Sequence, residues 1–167
     1  MKSQFIKNTT LSALFAAIIF VATFFVAIPL PTGYANLGDC FVILAGIILG
    51  PYGVAAAAIG SCLCDIITGA FIIYAPATFI IKGIMAVLSY ILLKRKYTLI
   101  RHIIAATLCE IIMVCGYFLY EFFIIGIGSA AIASVAGNCV QGFVGIVASV
   151  ILYTLLSKTG VLKQIKL

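Results

Sequence analysis

The sequence contains no tryptophan, one histidine and four carboxylates among 167 residues, and charged side chains make up only 8% of it. Each scarcity removes a class of function. One histidine leaves no paired-histidine metal motif of the HExxH kind, and neither a GxSxG elbow nor a P-loop occurs. Metal-assisted hydrolysis, serine hydrolysis and nucleotide binding by a P-loop therefore lack their usual residues. No catalytic set is recognisable, so the chain does not read as an enzyme, and no metal or resident cofactor is expected. The scarcity of charge also excludes a soluble domain. Hydrophobic residues make up 65% of the chain and its mean hydropathy is +1.34, more apolar surface than a soluble domain of this length can hide.

The remaining solvent is lipid. The chain has room for about six spans of roughly 20 residues. Its apolar runs are continuous rather than alternating, which excludes a β-barrel. The fold class expected is an all-α membrane protein, a compact bundle of six transmembrane helices in one integral-membrane domain over residues 1–167. The spans are placed at about 9–28, 40–49, 54–71, 77–93, 103–123 and 136–156. The run from Thr9 to Ile28 is too long for a signal-peptide core. The net charge is +6, but the basic residues form no single patch, so no nucleic-acid partner is expected. They gather at Lys2 and Lys7, at Lys94, Arg95, Lys96 and Arg101, and at Lys158, Lys163 and Lys166. The positive-inside rule puts these three clusters, and with them both termini, in the cytoplasm. Five of the six cysteines, all but Cys40, fall in expected spans and read as small apolar helix residues.

The stretch from Pro29 to Gly53 organises the rest. Pro29 and Pro31 end the first span by removing donors and disfavouring helix upstream. Asn36 and Asp39 then bring polar groups to the mouth of the bundle, where Asp39 also suits the N-cap of the second span. Gly50-Pro51-Tyr52-Gly53 is a strong turn signal. The third span opens with VAAAAIGS, small enough for a central, closely packed helix, and carries Asp65 in its outer third. Lys82, one to two turns inside the fourth span, is the basic residue outside the positive-inside pattern. An Asp65–Lys82 pair would neutralise two buried charges, and Lys82 could equally face a ligand. His102 follows the basic loop and reads as a solvated or headgroup-contacting side chain. Glu121 lies at the outer end of the fifth span with Tyr117 and Tyr120 nearby. Glu110 lies deeper, without an evident partner, where burial favours a protonated carboxyl. In the sixth span Asn138, Gln141 and Gly142 share one face, suited to hydrogen bonding of a heterocycle or to amide bonding between helices.

Asn36, Asp39, Asp65, Lys82, Tyr117, Glu121, Asn138 and Gln141 thus come from different spans to one outer layer. Tyr34, Tyr74, Phe79 and Tyr120 are expected at similar depth. Apolar walls with aromatics and a few directed polar groups describe a small-molecule pocket. In the first span Ala13 and Ala17 sit one turn apart beside Ala16, a small-residue face that admits another helix closely.

Several stretches together resemble the substrate-binding S components of energy-coupling factor (ECF) transporters. They are Ala13-Leu14-Phe15-Ala16-Ala17, Asn36-Leu37-Gly38-Asp39 leading into FVILAGIILGP, IGSCLCDIITG, and YAPATFIIKG from Tyr74 to Gly83. The resemblance covers nearly the whole chain. It implies a multi-pass subunit of the bacterial plasma membrane that captures a vitamin at the outer face and topples in the lipid to release it inside. It also implies that Ala13 and Ala17 contact a membrane T component, which transmits ATP hydrolysis by two cytoplasmic ATPases. The missing tryptophan departs from members that stack their ligand on that residue and disfavours the thiamine subgroup. Pyridoxine or hydroxymethylpyrimidine is the favoured ligand, with riboflavin next. The competing reading is a self-sufficient small permease or channel, which needs polar lining through both leaflets; Glu110 is the residue that favours it.

Overall fold

In the computed structural model, which describes residues 2–30 and 33–162, the chain forms six α-helices and one short β-hairpin. Pro31, Lys163 and Lys166 lie outside the described residues, as does the side chain of Tyr34. The helices are α1 (Lys2–Phe25), α2 (Gly38–Leu49), α3 (Pro51–Thr68), α4 (Ala75–Leu93), α5 (Leu99–Leu119) and α6 (Ala131–Lys158). Five of the described helical segments have the length and apolar composition to cross a membrane; the exception is α2.

The short helix is the centre of the bundle. At 1.5 Å per residue its 12 residues span about 18 Å, well short of the roughly 30 Å hydrocarbon core. Ten of them are buried, because α2 packs against α1, α3, α4 and α6. A helix enclosed by protein need not match the bilayer, so its length reflects its neighbours. VAAAAIGS in α3 gives close packing on α1, α2 and α4, but the central position belongs to α2.

The first span departs from its expected end. Helix α1 stops at Phe25, and the residues before the prolines turn extended. Strand β1 (Ala27–Leu30) pairs antiparallel with β2 (Gly33–Asn36), with Ala27 opposite Asn36 and Leu30 opposite Gly33. This hairpin is the one non-helical addition to the expected bundle, and β2 packs on α6. The second turn signal acts as the sequence suggests. Gly50, at φ 56°, is both the end of α2 and the residue before α3, a conformation that suits glycine, and Pro51 opens α3 where its missing N–H costs nothing. Helix α3 therefore starts three residues before the expected Val54.

At the other end of α3, Gly69 at φ 71° closes the helix and a 3₁₀ turn (Ile72–Tyr74) leads into α4. Helix α5 is capped by Thr98, whose hydroxyl accepts from the Arg101 N–H at 3.3 Å. It continues into a π-helical segment, Tyr120–Ile125, closed by Gly126 in the left-handed region. The packed interior is built from Ile19, Val42, Ile43, Leu49, Met85 and Met113 with many alanines between them. Large apolar side chains such as Ile104, Ile124 and Phe143 point outward, as expected where the surrounding solvent is lipid.

Candidate functional site

A cavity of about 500 Å³ opens at one end of the bundle, opposite the basic α4–α5 loop. Its walls come from the end of α3 and the start of α4 (Ser61, Asp65, Phe71, Tyr74, Thr78, Lys82). They are completed by the end of α5 and the start of α6 (Tyr117, Glu121, Ser134, Gly137, Asn138, Gln141) and by Thr23 and Asn36. Alternating helix direction brings these terminal segments to one level, which is why residues more than a hundred positions apart meet there.

Two networks shape the cavity. In the first, Asn36 Oδ1 accepts the Gly38 N–H at 2.8 Å, and Asn36 Nδ2 donates to Gln141 Oε1 at 3.0 Å. Gln141 Nε2 donates in turn to Asp39 Oδ2 at 2.6 Å, and Lys82 Nζ is ion-paired with Asp39 Oδ1. Asn36, not Asp39, thus satisfies the start of α2, which has no side-chain cap on Leu37. Asp39 is freed to hold Lys82 and Gln141. In the second network, the Tyr74 hydroxyl donates to Glu121 Oε1 at 3.2 Å, the Ser134 hydroxyl donates to Glu121 Oε2, and Thr78 and Tyr117 share a hydroxyl contact at 2.9 Å. Lys82 Nζ also lies 5.5 Å from the Tyr117 ring centroid, a cation–π distance.

Seven of the eight residues expected in the site line the cavity: Asn36, Asp65, Lys82, Tyr117, Glu121, Asn138 and Gln141. Asp39 sits directly behind it, 1% exposed. The Asp65–Lys82 pair is replaced by Lys82–Asp39, the one ion pair among the described residues. Asp39 lies on the enclosed helix, where an unpaired carboxylate is least tolerable, so the buried lysine goes there. Asp65 Oδ2 and Ser61 Oγ are buried without a partner at the cavity wall.

Other expectations shift. Gly142 does not share the cavity face: it packs on Glu110, whose Cβ lies 3.0 Å from the position of a Cβ there, and Gly137 takes the cavity side. Phe79 points outward, while the Tyr120 hydroxyl donates to the Ile73 carbonyl at 2.6 Å. His102 is not solvated. It is fully buried, with Nδ1 3.1 Å from the Tyr97 hydroxyl, Nε2 3.2 Å from the Ser149 hydroxyl, and Tyr153 edge-on to its ring. Helix α6 covers this side chain, which no local pattern around the basic loop reveals. Glu110 is buried with neither oxygen partnered. Ser134 went unnoticed in the sequence, although it stands one turn before Asn138 on the same helix face. Thr23 carried no signal.

Ala13 and Ala17 are exposed on α1, while Ala16 beside them meets Gly60 of α3. Among the described residues no group of three or more His, Cys, Asp or Glu side chains could hold a metal ion.

Such a chamber can enclose and orient a small molecule. Comparison with known proteins agrees. A family model described as the ECF-type riboflavin transporter, S component, matches residues 3–158. An uncharacterized protein from the gap 3'-region of Pyrococcus woesei is 33% identical over 130 residues, covering 76% of this chain and 86% of that protein. The chain is a membrane transport subunit rather than an enzyme, and it belongs to the family of ECF-type riboflavin transporter S components.

Proposed function

We propose that the chain captures riboflavin in this cavity from the outer side of a bacterial plasma membrane. Delivery inward then depends on a T component and two cytoplasmic ATPases. The observation that carries the reading is the cavity itself. Its volume of about 500 Å³ falls within the roughly 300–1,000 Å³ of drug-sized ligand sites. A fused three-ring system with a polyol tail suits that volume, whereas one pyridine or pyrimidine ring would leave much of it to water. This size argument, with the family's description, moves riboflavin ahead of pyridoxine and hydroxymethylpyrimidine.

The chemistry of the walls supports the same ligand. The ring edge of a flavin carries carbonyl acceptors around an N–H donor. Asn138, Gln141 and Lys82 offer amide and ammonium groups complementary to that edge. Ribityl hydroxyls are donors, and the unpartnered Asp65 Oδ2 and Ser61 Oγ on the α3 side of the cavity are free to accept from them. Phe71, Tyr74 and Tyr117 supply flat apolar surface, with the Tyr74 and Tyr117 centroids 6.4 Å apart.

The basic residues support the orientation: Lys94, Arg95, Lys96 and Arg101 lie at the end away from the cavity, which faces outward if they face the cytoplasm. Helix α1 supports the coupling role, since Ala13 and Ala17 remain uncovered. The permease reading has weak support, because beyond the cavity floor the bundle is filled by Ile43, Leu49, Met85 and Met113.

The test is ligand release and rebinding. Mass spectrometry of the purified, then denatured, chain should find riboflavin in stoichiometric amount. Added riboflavin should lose its fluorescence on the empty protein. Binding of pyridoxine or hydroxymethylpyrimidine with no response to riboflavin would overturn the ligand assignment but leave the capture role standing.

A further inference from the structure

The cavity and the layer directly behind it hold all four carboxylates of the chain and, among the described residues, a single basic side chain. Asp65, Glu121 and Lys82 line the cavity, with Asp39 and Glu110 buried behind it. The other described basic residues stand at or just beyond the opposite ends of α1, α4, α5 and α6. The Lys82 ammonium is already committed, because it is ion-paired with Asp39, which is 1% exposed. Helix dipoles add no compensating positive field. Helices α2, α4 and α6 start at the cavity end while α1, α3 and α5 finish there, so their partial charges largely cancel.

A carboxylate meets the cavity at each depth. At the rim, Glu121 accepts from Tyr74 and Ser134. About one turn inside the end of α3, Asp65 is 7% exposed and its Oδ2 has no hydrogen-bond partner. About two turns inside the start of α4, Lys82 reaches the floor of the cavity, where it holds Asp39. An anionic group in the chamber therefore stands against Glu121, against Asp65, or against a Lys82 that it can take only by stranding Asp39 in the interior. A stranded buried charge is strongly destabilising. A cation fares differently. Asp65 offers it an unpartnered oxygen, and Phe71, Tyr74 and Tyr117 offer aromatic rings, whose faces attract cations. Their successive centroids lie 6.3 and 6.4 Å apart.

We propose that Asp65 and Glu121 are specificity-determining residues through which the cavity selects its ligand by charge, admitting neutral and cationic flavins and rejecting anionic ones. The proposal rests on the riboflavin reading: the vitamin is taken and its phosphate ester is refused. The end of the ribityl tail exposes this selection most directly. A hydroxyl, an ammonium or a phosphate there changes the charge and leaves the ring system as it is.

The experiment titrates three flavins against the purified chain at neutral pH, read by fluorescence quenching. They are riboflavin, its terminal phosphate ester, and the analogue with an amine in place of the terminal hydroxyl. The amine analogue should bind at least as tightly as riboflavin. The phosphate ester should bind at least about a hundredfold more weakly, since juxtaposed like charges are heavily penalised. In D65N/E121Q the gap between the amine and the phosphate should shrink about tenfold or more, and by smaller steps in D65N and E121Q alone. The single variants decide the assignment where the double variant does not fold. A phosphate ester that binds within about tenfold of riboflavin overturns the charge selection. So does equal weakening of the phosphate and amine analogues, which marks a steric limit at the tail. A wild-type gap that the folded variants leave unchanged removes Asp65 and Glu121 as its source. Failure of riboflavin itself to bind overturns the capture reading and this proposal with it, whereas each of the other outcomes leaves capture standing.

Discussion

Lys82 joins stability to recognition, because its ammonium both neutralises Asp39 and faces the cavity. Removing one partner of a buried pair strands the other charge, at a cost of roughly 3–5 kcal/mol. Lys82→Ala should therefore lower the thermal stability of the detergent-solubilised chain severely. The double variant Asp39→Asn/Lys82→Met should recover most of that loss and still bind ligand at least about tenfold more weakly, which is about 1.4 kcal/mol. Equal stability of the single and double variants would show that the stranded Asp39 charge costs nothing. Asn138 gives a cleaner test of the pocket. It is half-buried on the cavity wall and outside the Asn36–Gln141–Asp39 chain. Asn138→Ala should weaken riboflavin binding about tenfold or more while the melting temperature stays near that of the wild type. Unchanged affinity in that folded variant removes Asn138 from the site.

Helix α6 approaches α5 closely because Gly142 and Gly145 leave room for the Glu110 side chain. A methyl group on Gly145 would stand 2.6 Å from Glu110 Oε1 and 3.2 Å from the Asp39 Cβ. Gly145→Ala should thus push α6 outward, with destabilisation of roughly 1–3 kcal/mol from overpacking. It should also loosen the ligand, since α6 carries Asn138 and Gln141. Denaturation and riboflavin titration of that variant check both effects. Helix α1 plays a different part. Only four of its 24 residues are buried, and Ala13 and Ala17 lie on the free side. Ala17→Arg, or Ala13→Arg, should abolish vitamin uptake by cells carrying the complete transporter and leave binding to the isolated chain unchanged. Normal uptake would count against α1 as the coupling helix.

For the whole molecule, the polar chamber occupies one end, and packed apolar side chains together with the buried His102–Ser149 pair fill the rest. Proteoliposomes containing this chain alone should bind riboflavin at their surface but accumulate none, with or without ATP inside. Sustained accumulation by the chain alone would favour a permease.

The sequence by itself determined the solvent, the helical architecture and the end at which the polar residues gather. Those properties follow from local facts: apolar runs as long as a bilayer is thick, punctuation by Pro and Gly, and the clustering of lysine and arginine. It also named seven residues that line the cavity, because a polar side chain inside an apolar span is conspicuous wherever it falls. Tertiary structure alone decided the partners. Lys82 meets Asp39, 43 positions away, rather than Asp65, because α2 runs through the middle of the bundle and presents its first turn to α4. His102 is buried because α6 brings Ser149 and Tyr153 over it, and Gly142 turns to Glu110 because of how α6 lies on α5. A span's depth is set by its own hydropathy, whereas the direction in which each side chain points is set by rotation against neighbouring helices. That rotation depends on packing among residues distant in the chain, and no local pattern contains it.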